Sequence, residues 1–563
     1  MGTHLSTPSR VKQRASFGLA KWIQRFFVLL LIAGSILIGL LQIKAPTPLD
    51  SSAPPDVFSS ARAMDKLRVI ASTPHAIATS AHDEVRDYLL AELKAFGLNP
   101  EIQKTYVQSD LYNTSGIIEN IITRIPGTDN SKAVMITAHY DSVPTSPGAA
   151  DDGAAIAAML ETVRAIQVSG PLKNDLILLM TDGEEMGLLG AKAFTEEHSW
   201  VKDVGIVLNF EARGNKGPSF MFETSDQNGW MVKEFMKAAP HPIAYSLIYN
   251  VYKLMPNDTD LTMFRQGGLD GLNFAFGMGV DAYHDSSDTP DNLDPASLQH
   301  HGEYMLSLTK HFGNLNLHEV KQEDRVYFNI WSWNMISYPQ SWAIGFMIFG
   351  ALLFVITIGY GIRRRLMSLI GMLGGFLLTL LSLGVVYGVT KGLWSILRAQ
   401  VSNEQYNTII LDPRISTYYL VGLLVITIII TFMLIRWISR YIRSEHIWSG
   451  ALLLWLLLCV GTTFYLPGGS YLFTWPFIAS TIGLYVFFLK GEGVSKWASA
   501  VFAMPGFVLF APICYLVFIL MTLHMSEVLL TVAALAFTLI YPIYSRETRH
   551  RHKRSSREFI LDK

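Results

Sequence analysis

Cysteine is almost absent: the 563-residue chain has two, Cys459 and Cys514, and both sit inside apolar runs. That excludes a disulfide framework and a cysteine-based metal centre, so any metal has to be held by histidine and carboxylates. A basic groove with interleaved aromatics is missing too, and the formal net charge is −1, so nucleic acid is not an expected partner. Charge is scarce overall, 16% of residues against 50% hydrophobic, and the mean hydropathy is positive. Such a chain is too apolar for a soluble protein and long enough for several domains, which places the apolar excess in membrane spans.

The layout follows from texture. Residues 1–25 carry Arg10, Lys12, Arg14, Lys21 and Arg25 and no acidic residue, the mark of a cytosolic flank. An apolar run over 26–43 follows without a small-x-small cleavage site, and is read as an uncleaved transmembrane anchor. A Pro/Ser linker covers 44–56. From 57 to 325 the patterning is globular: amphipathic helices at "SSARAMDKLRVIA" and "HDEVRDYLLAELKAFG", then the strands "AVMITAH", "DLILLMTD", "VGIVLNFE" and "PSFMFET", with the helix "DDGAAIAAMLETVRAIQ" between the first two. The alternation predicts an α/β domain with a mixed, mostly parallel sheet covered by helices on both faces, its ligand sites beyond the C-terminal strand ends. Residues 341–544 read as an all-α polytopic membrane domain of about seven helices, one of them a kinked span at 497–523 containing Pro505 and Pro512. The basic stretches 363–365 and 436–443 and the tail 545–563 all fall on the cytosolic side if the spans alternate, which puts the α/β domain on the other side.

Candidate chemistry collects at the predicted strand ends. "TDGEEMGLLG" brings Glu184 and Glu185 to the end of one strand, where neighbouring residues point different ways. One can bind a metal while the other stays free as a general base. "AHYDS" offers His139 and Asp141, two apart and so on one side of an extended chain, a spacing that suits a ligand histidine and the carboxylate that orients it. "NFEARG" brings Glu211 to a third strand end, "SPGAADDGAA" presents Asp151 and Asp152 at a helix start, and "YHDSSDTPDN" supplies His284 in a turn-rich loop. Each fragment alone reads equally well as a solvated turn. Five of them at strand or loop ends of one domain do not.

This set of motifs resembles the co-catalytic zinc aminopeptidase family that includes bacterial secreted aminopeptidases, yeast aminopeptidase Y and glutamate carboxypeptidase II. "NFEARGNKGPSFMFET" and "PNDTDLTMFRQGG" are similar to its multi-spanning branch, the endoplasmic reticulum metallopeptidase and vacuolar membrane protease. The resemblance implies a zinc exopeptidase fold and two zinc ions per chain. His139 and Glu211 would hold one ion and Glu185 and His284 the other, with Asp151 bridging, Glu184 as free base and Asp141 as orienter of His139. The implied function is a membrane-bound aminopeptidase that hydrolyses peptides with a hydroxide held by the two zincs. Many soluble relatives carry Asp where Glu211 stands.

Other readings remain open at the level of sequence. A glutaminyl cyclase shares much of this ligand set with one zinc, and carboxypeptidase or dipeptidase action depends on pocket residues the motifs do not reveal. A non-catalytic binding ectodomain would normally lack ligands. Transport would need ionisable residues inside the C-terminal spans, which carry none there. The protein is expected to be multi-pass, in the plasma membrane if bacterial and in the endoplasmic reticulum or vacuolar membrane if eukaryotic. The motifs carry no information on oligomeric state.

Overall fold

The structure, a computed structural model, describes residues 9–129, 132–490 and 492–544. Strands β1 (Glu101–Ser109), β2 (Thr114–Ile125), β3 (Ala133–His139), β4 (Asp175–Thr181), β5 (Val204–Ala212), β6 (Phe220–Thr224) and β7 (Gly271–Phe276) form one sheet in the order β1-β2-β4-β3-β5-β7-β6. The central four, β4, β3, β5 and β7, run parallel, while β1, β2 and β6 pair antiparallel toward the edges. Every residue of β3, β4 and β7 is buried, as unbroken apolar runs must be when both faces of a sheet are covered.

One face is covered by α2 (Ser60–Ile70), α3 (Ser80–Ala95), α4 (Ala154–Ser169), α6 (Gly229–Ala238) and α9 (Pro295–Phe312), the other by α5 (Leu189–Glu197) and α8 (Asp260–Gln266). The alanines of α4 are buried almost without exception, which lets the helix lie close against the sheet. Residues 151–167 were expected to be helical throughout, but regular helix starts only at Ala154. Asp151 (φ −112°, ψ 90°) and Asp152 (φ −127°, ψ 30°) have non-helical backbones, and the peptide between them is cis. Gly148 begins this turn at φ +68°, where a Cβ would meet Asp151 O at 2.8 Å, so only glycine fits.

Helices continue with α1 (Ser9–Leu40), α7 (Ser246–Tyr252), α10 (Trp342–Arg363), α11 (Leu369–Gln400), α12 (Asn403–Leu411), α13 (Pro413–Ile438), α14 (Ser444–Tyr465), α15 (Tyr471–Lys490), α16 (Glu492–Met521) and α17 (Ser526–Phe537). Among the described residues six stretches are long and apolar enough to cross a membrane: α10, α11, Arg414–Ile438 of α13, α14, α15 and the stretch Ser499–Ile543. Phe26–Leu40 of α1 is a shorter apolar helix. The basic tail 545–563 and residues 1–8 lie outside the described residues. α16 is one helix through Pro505 and Pro512. α11 and α14 touch backbone to backbone: a Cβ on Gly375 would meet His446 O at 2.0 Å, and one on Gly450 would meet Phe376 N at 2.2 Å.

A hairpin of β8 (Arg325–Trp331) and β9 (Asn334–Pro339) joins the two halves. Phe328 of β8 stacks on Tyr471 of α15 with ring centres 4.3 Å apart. Ser246 of α7 donates to Gly468 O (2.6 Å), ahead of α15. Gln42, after α1, receives the Tyr245 hydroxyl (3.1 Å) and donates to Val508 O of α16 (3.3 Å). These contacts seat one end of the helical bundle against α7 and the edge of the sheet.

Candidate metal centre

The site is assembled at the C-terminal ends of β3, β4 and β5, where the apolar runs stop. Gly183 (φ +69°) turns the chain out of β4, and Glu184 and Glu185 follow it. The Asp141 carboxylate accepts from the backbone N–H of both, at 3.1 and 3.2 Å, so it fixes the direction of the turn. Its carbonyl oxygen lies 2.9 Å from His139 Nδ1, and its carboxylate lies 3.5 Å from the same nitrogen. His139 therefore presents Nε2 to the centre.

All seven residues singled out from the sequence come together here. His139 Nε2 lies 3.3 Å from Asp151 Oδ1 and 3.9 Å from Glu211 Oε2. His284 Nε2 lies 3.1 Å from both Asp151 Oδ2 and Glu185 Oε1. Three groups each have ligand atoms within 4.8 Å of one another: His139 with Asp151 and Glu211, Asp151 with Glu185 and His284, and His139 with Glu184 and Glu185. Asp152 belongs to none of these groups; it is buried with both carboxylate oxygens lacking a hydrogen-bond partner.

Burial is severe for so much acid. It pushes Glu184 well above the ordinary carboxylate range, Glu185 up to about 7 and Glu211 up to about 8, with neighbouring carboxylates adding to the rise. Burial acts against charge on Asp151 as well, yet the neighbouring His139 and His284 rings hold it below the usual value. Burial also opposes charge on the histidines, but their carboxylate neighbours win: His139 lies well above its ordinary value and His284 is raised to about 10. No lysine or arginine ion pair to Asp151, Glu184, Glu185 or Glu211 is found among the described residues. At an effective dielectric of 20, two carboxylates 4 Å apart repel by about 4 kcal/mol, a repulsion that a bound cation would relieve. The unaligned pair His284 Nε2 and Glu185 Oε1, each without a hydrogen-bond partner, is what two ligands of one ion look like.

The sequence reading missed the supports. Asp260 is fully buried and accepts from the Thr181 hydroxyl at the end of β4; burial raises it to about 6. Asp288 accepts from the N–H groups of Ala150 (2.8 Å) and Asp151 (3.3 Å), pinning the irregular turn. Tyr283 stacks on His284 at 3.8 Å, with Arg213 over its other side at 5.8 Å. Asp260 and Asp288 lie inside motifs quoted above, "PNDTDLTMF" and "YHDSSDTPDN"; nothing in their spacing separates them from capping residues. A cavity of about 780 Å³ opens from the centre and includes Asp151, Glu184, Glu185 and Glu211 in its lining.

Residues 120–309 match the family described as Peptidase family M28. Endoplasmic reticulum metallopeptidase 1 of Rattus norvegicus is 31% identical over 232 residues, 40% of this chain and 26% of that protein. The vacuolar membrane protease of Candida dubliniensis is 33% identical over 320 residues, 54% of this chain and 33% of that protein. The chain thus spans about a quarter to a third of the length of these relatives. Among solved structures, the aminopeptidase from Aneurinibacillus sp. strain AM-1 aligns with a TM-score of 0.38 at 12% identity, covering 47% of this chain and 97% of that one. The glutaminyl cyclase of Porphyromonas gingivalis aligns with a TM-score of 0.38 at 17% identity, covering 45% and 98%.

Proposed function

We propose that the protein, whose residues 120–309 match the family described as Peptidase family M28, is a membrane-bound, zinc-dependent exopeptidase that removes N-terminal residues from peptides. The observation that carries this reading is the position of Asp151, whose two oxygens face His139 at 3.3 Å and His284 at 3.1 Å. One carboxylate shared between two histidine-centred groups suits a pair of zinc ions. His139 and Glu211 would hold one, Glu185 and His284 the other, and Asp151 both. The donor set of imidazole nitrogens and carboxylate oxygens, without thiolate, is one zinc accepts. When bound, the zinc pair acidifies a water and polarises the scissile carbonyl.

The chain's own residues supply the rest. Glu184, in the cavity lining beside the ligand groups, would accept a proton from the attacking water at its ionised carboxylate and pass it to the leaving amine. Asp141 keeps His139 and the Glu184 turn in one geometry. Five acidic residues and a single basic one, Arg213, line the cavity, a field that favours a substrate's ammonium end over its carboxylate end. That supports an aminopeptidase over a carboxypeptidase, and the shared Asp151 supports two metals over the single zinc of a cyclase.

The loops Arg364–Met367 and Ser439–Arg443 close the ends of α10 and α13 away from β9 and from the Pro467–Gly469 turn, which pack on the α/β unit. Basic residues at that far end support a cytosolic position for it and an extracytoplasmic α/β unit. The test is zinc per chain together with release of amino acids from unblocked and N-acetylated peptides. Two zincs and cleavage of unblocked peptides alone are expected. One zinc with ammonia release from N-terminal glutamine would replace this reading with cyclisation.

A further inference from the structure

The cavity does not end within the α/β unit. Its far wall is α16, which contributes Ile513, Leu516, Val517 and Leu520. These positions follow i, i+3, i+4, i+7, so one stripe of a membrane-type helix faces the metal centre across the cavity. Between them stand Phe220 and Phe222 of β6, two residues apart on the face of the edge strand opposite Met221, which points into the main core. A stretch of apolar wall thus runs unbroken from Glu211 to the helical bundle.

A volume of about 780 Å³ lies high in the range of ~300–1,000 Å³ that encloses whole small ligands, so it accommodates several residues of a peptide and not one side chain only. Val251 of α7, also in the lining, is 41% exposed. Resting on the exopeptidase reading above, we propose that the substrates are peptides with consecutive large apolar residues, and that α16 is a specificity element that holds them. Acidic residues at one end take the ammonium group, and the helix at the other takes the apolar chain that follows.

The test uses the full-length chain in lipid nanodiscs, with Val517→Trp to fill the cavity and Leu520→Ala to open it. The first readout is the ratio of kcat/KM for a leucine-rich tetrapeptide to that for an alanine–glycine tetrapeptide. It should exceed one in the wild type and fall about tenfold in Val517→Trp, as expected for occluding an apolar subsite. The second readout is equilibrium binding of a fluorescent leucine-rich tetrapeptide to the Glu184→Gln chain, with and without Val517→Trp or Leu520→Ala. Weakened binding in either variant supports the cavity assignment. Unchanged ratios or unchanged binding in both variants overturn it. Wild-type protein that binds the peptide in a Val517-dependent way but hydrolyses neither substrate would leave the cavity standing and refute the exopeptidase reading instead.

Discussion

The two halves of this molecule bury polarity in opposite ways. In the α/β unit one set of buried charged groups converges on a single point, where like charges are held together against their repulsion. In the helical half the buried polar groups are mostly neutral and dispersed: Trp455 donates to Thr538 (2.8 Å), Trp448 to Ser480 (3.4 Å), and Cys459 meets Thr474 (3.3 Å). Each of these satisfies its partner and leaves nothing over for chemistry. The comparison teaches that the α/β unit gathers buried charge where ligand atoms face one another, whereas the helical half spreads hydroxyl and indole pairs that brace helix against helix.

The comparison breaks most visibly at Glu184. Under the proposed function, Glu184→Gln should retain the wild-type zinc content by elemental analysis and lose about 10²–10⁴-fold in turnover, the usual share of a general base; undiminished turnover would remove Glu184 from that role. His284→Ala, by contrast, should lose metal. Next in size is chelation: stripping zinc should lower the thermal midpoint and zinc should restore it, with about 2.7 kcal/mol regained at a hundredfold excess over Kd. Far-ultraviolet dichroism of the helical half should stay unchanged during this titration.

A smaller effect is expected from the other half. Gly450→Leu forces α14 away from α11, and overpacking of this kind costs about 1–3 kcal/mol, read as reduced thermal stability in detergent with zinc content unaltered. The last concerns acid and is gradual. His300 and His301 of α9 are buried and neutral, both displaced down to about 3 by burial, whereas the unfolded ring titrates near 6.5. Their contribution is present above pH 6.5 and is lost as pH falls toward 3, about 1.4 kcal/mol per pH unit for each ring inside that window. His301→Gln should therefore flatten the dependence of stability on pH below 6.5, measured by denaturant unfolding.

How far the chain could be read follows from the same contrast. Apolar runs that stop at a carboxylate or histidine are legible, so β3, β4, β5 and β6 and the cluster they carry could be located in advance. The β1–β2 hairpin could not, because Tyr106 and Ile117 are exposed on an edge and its alternation is weak. β7 is six residues long and follows a glycine-rich turn, and β8–β9 owes its place to Tyr471 and Trp475 far along the chain. The α16 stripe was illegible for a different reason: on a membrane-type helix, a face that meets lipid and a face that lines a cavity have the same composition.

The seating of Phe328 on Tyr471 and of Ser246 on Gly468 has a kinetic meaning. If the proposed activity holds, a hydrolytic mouth locked to a helical bundle in a membrane would stay at that surface. It would then meet substrate by lateral diffusion in a thin layer, so the number of apolar chains per unit area would set how often it turns over.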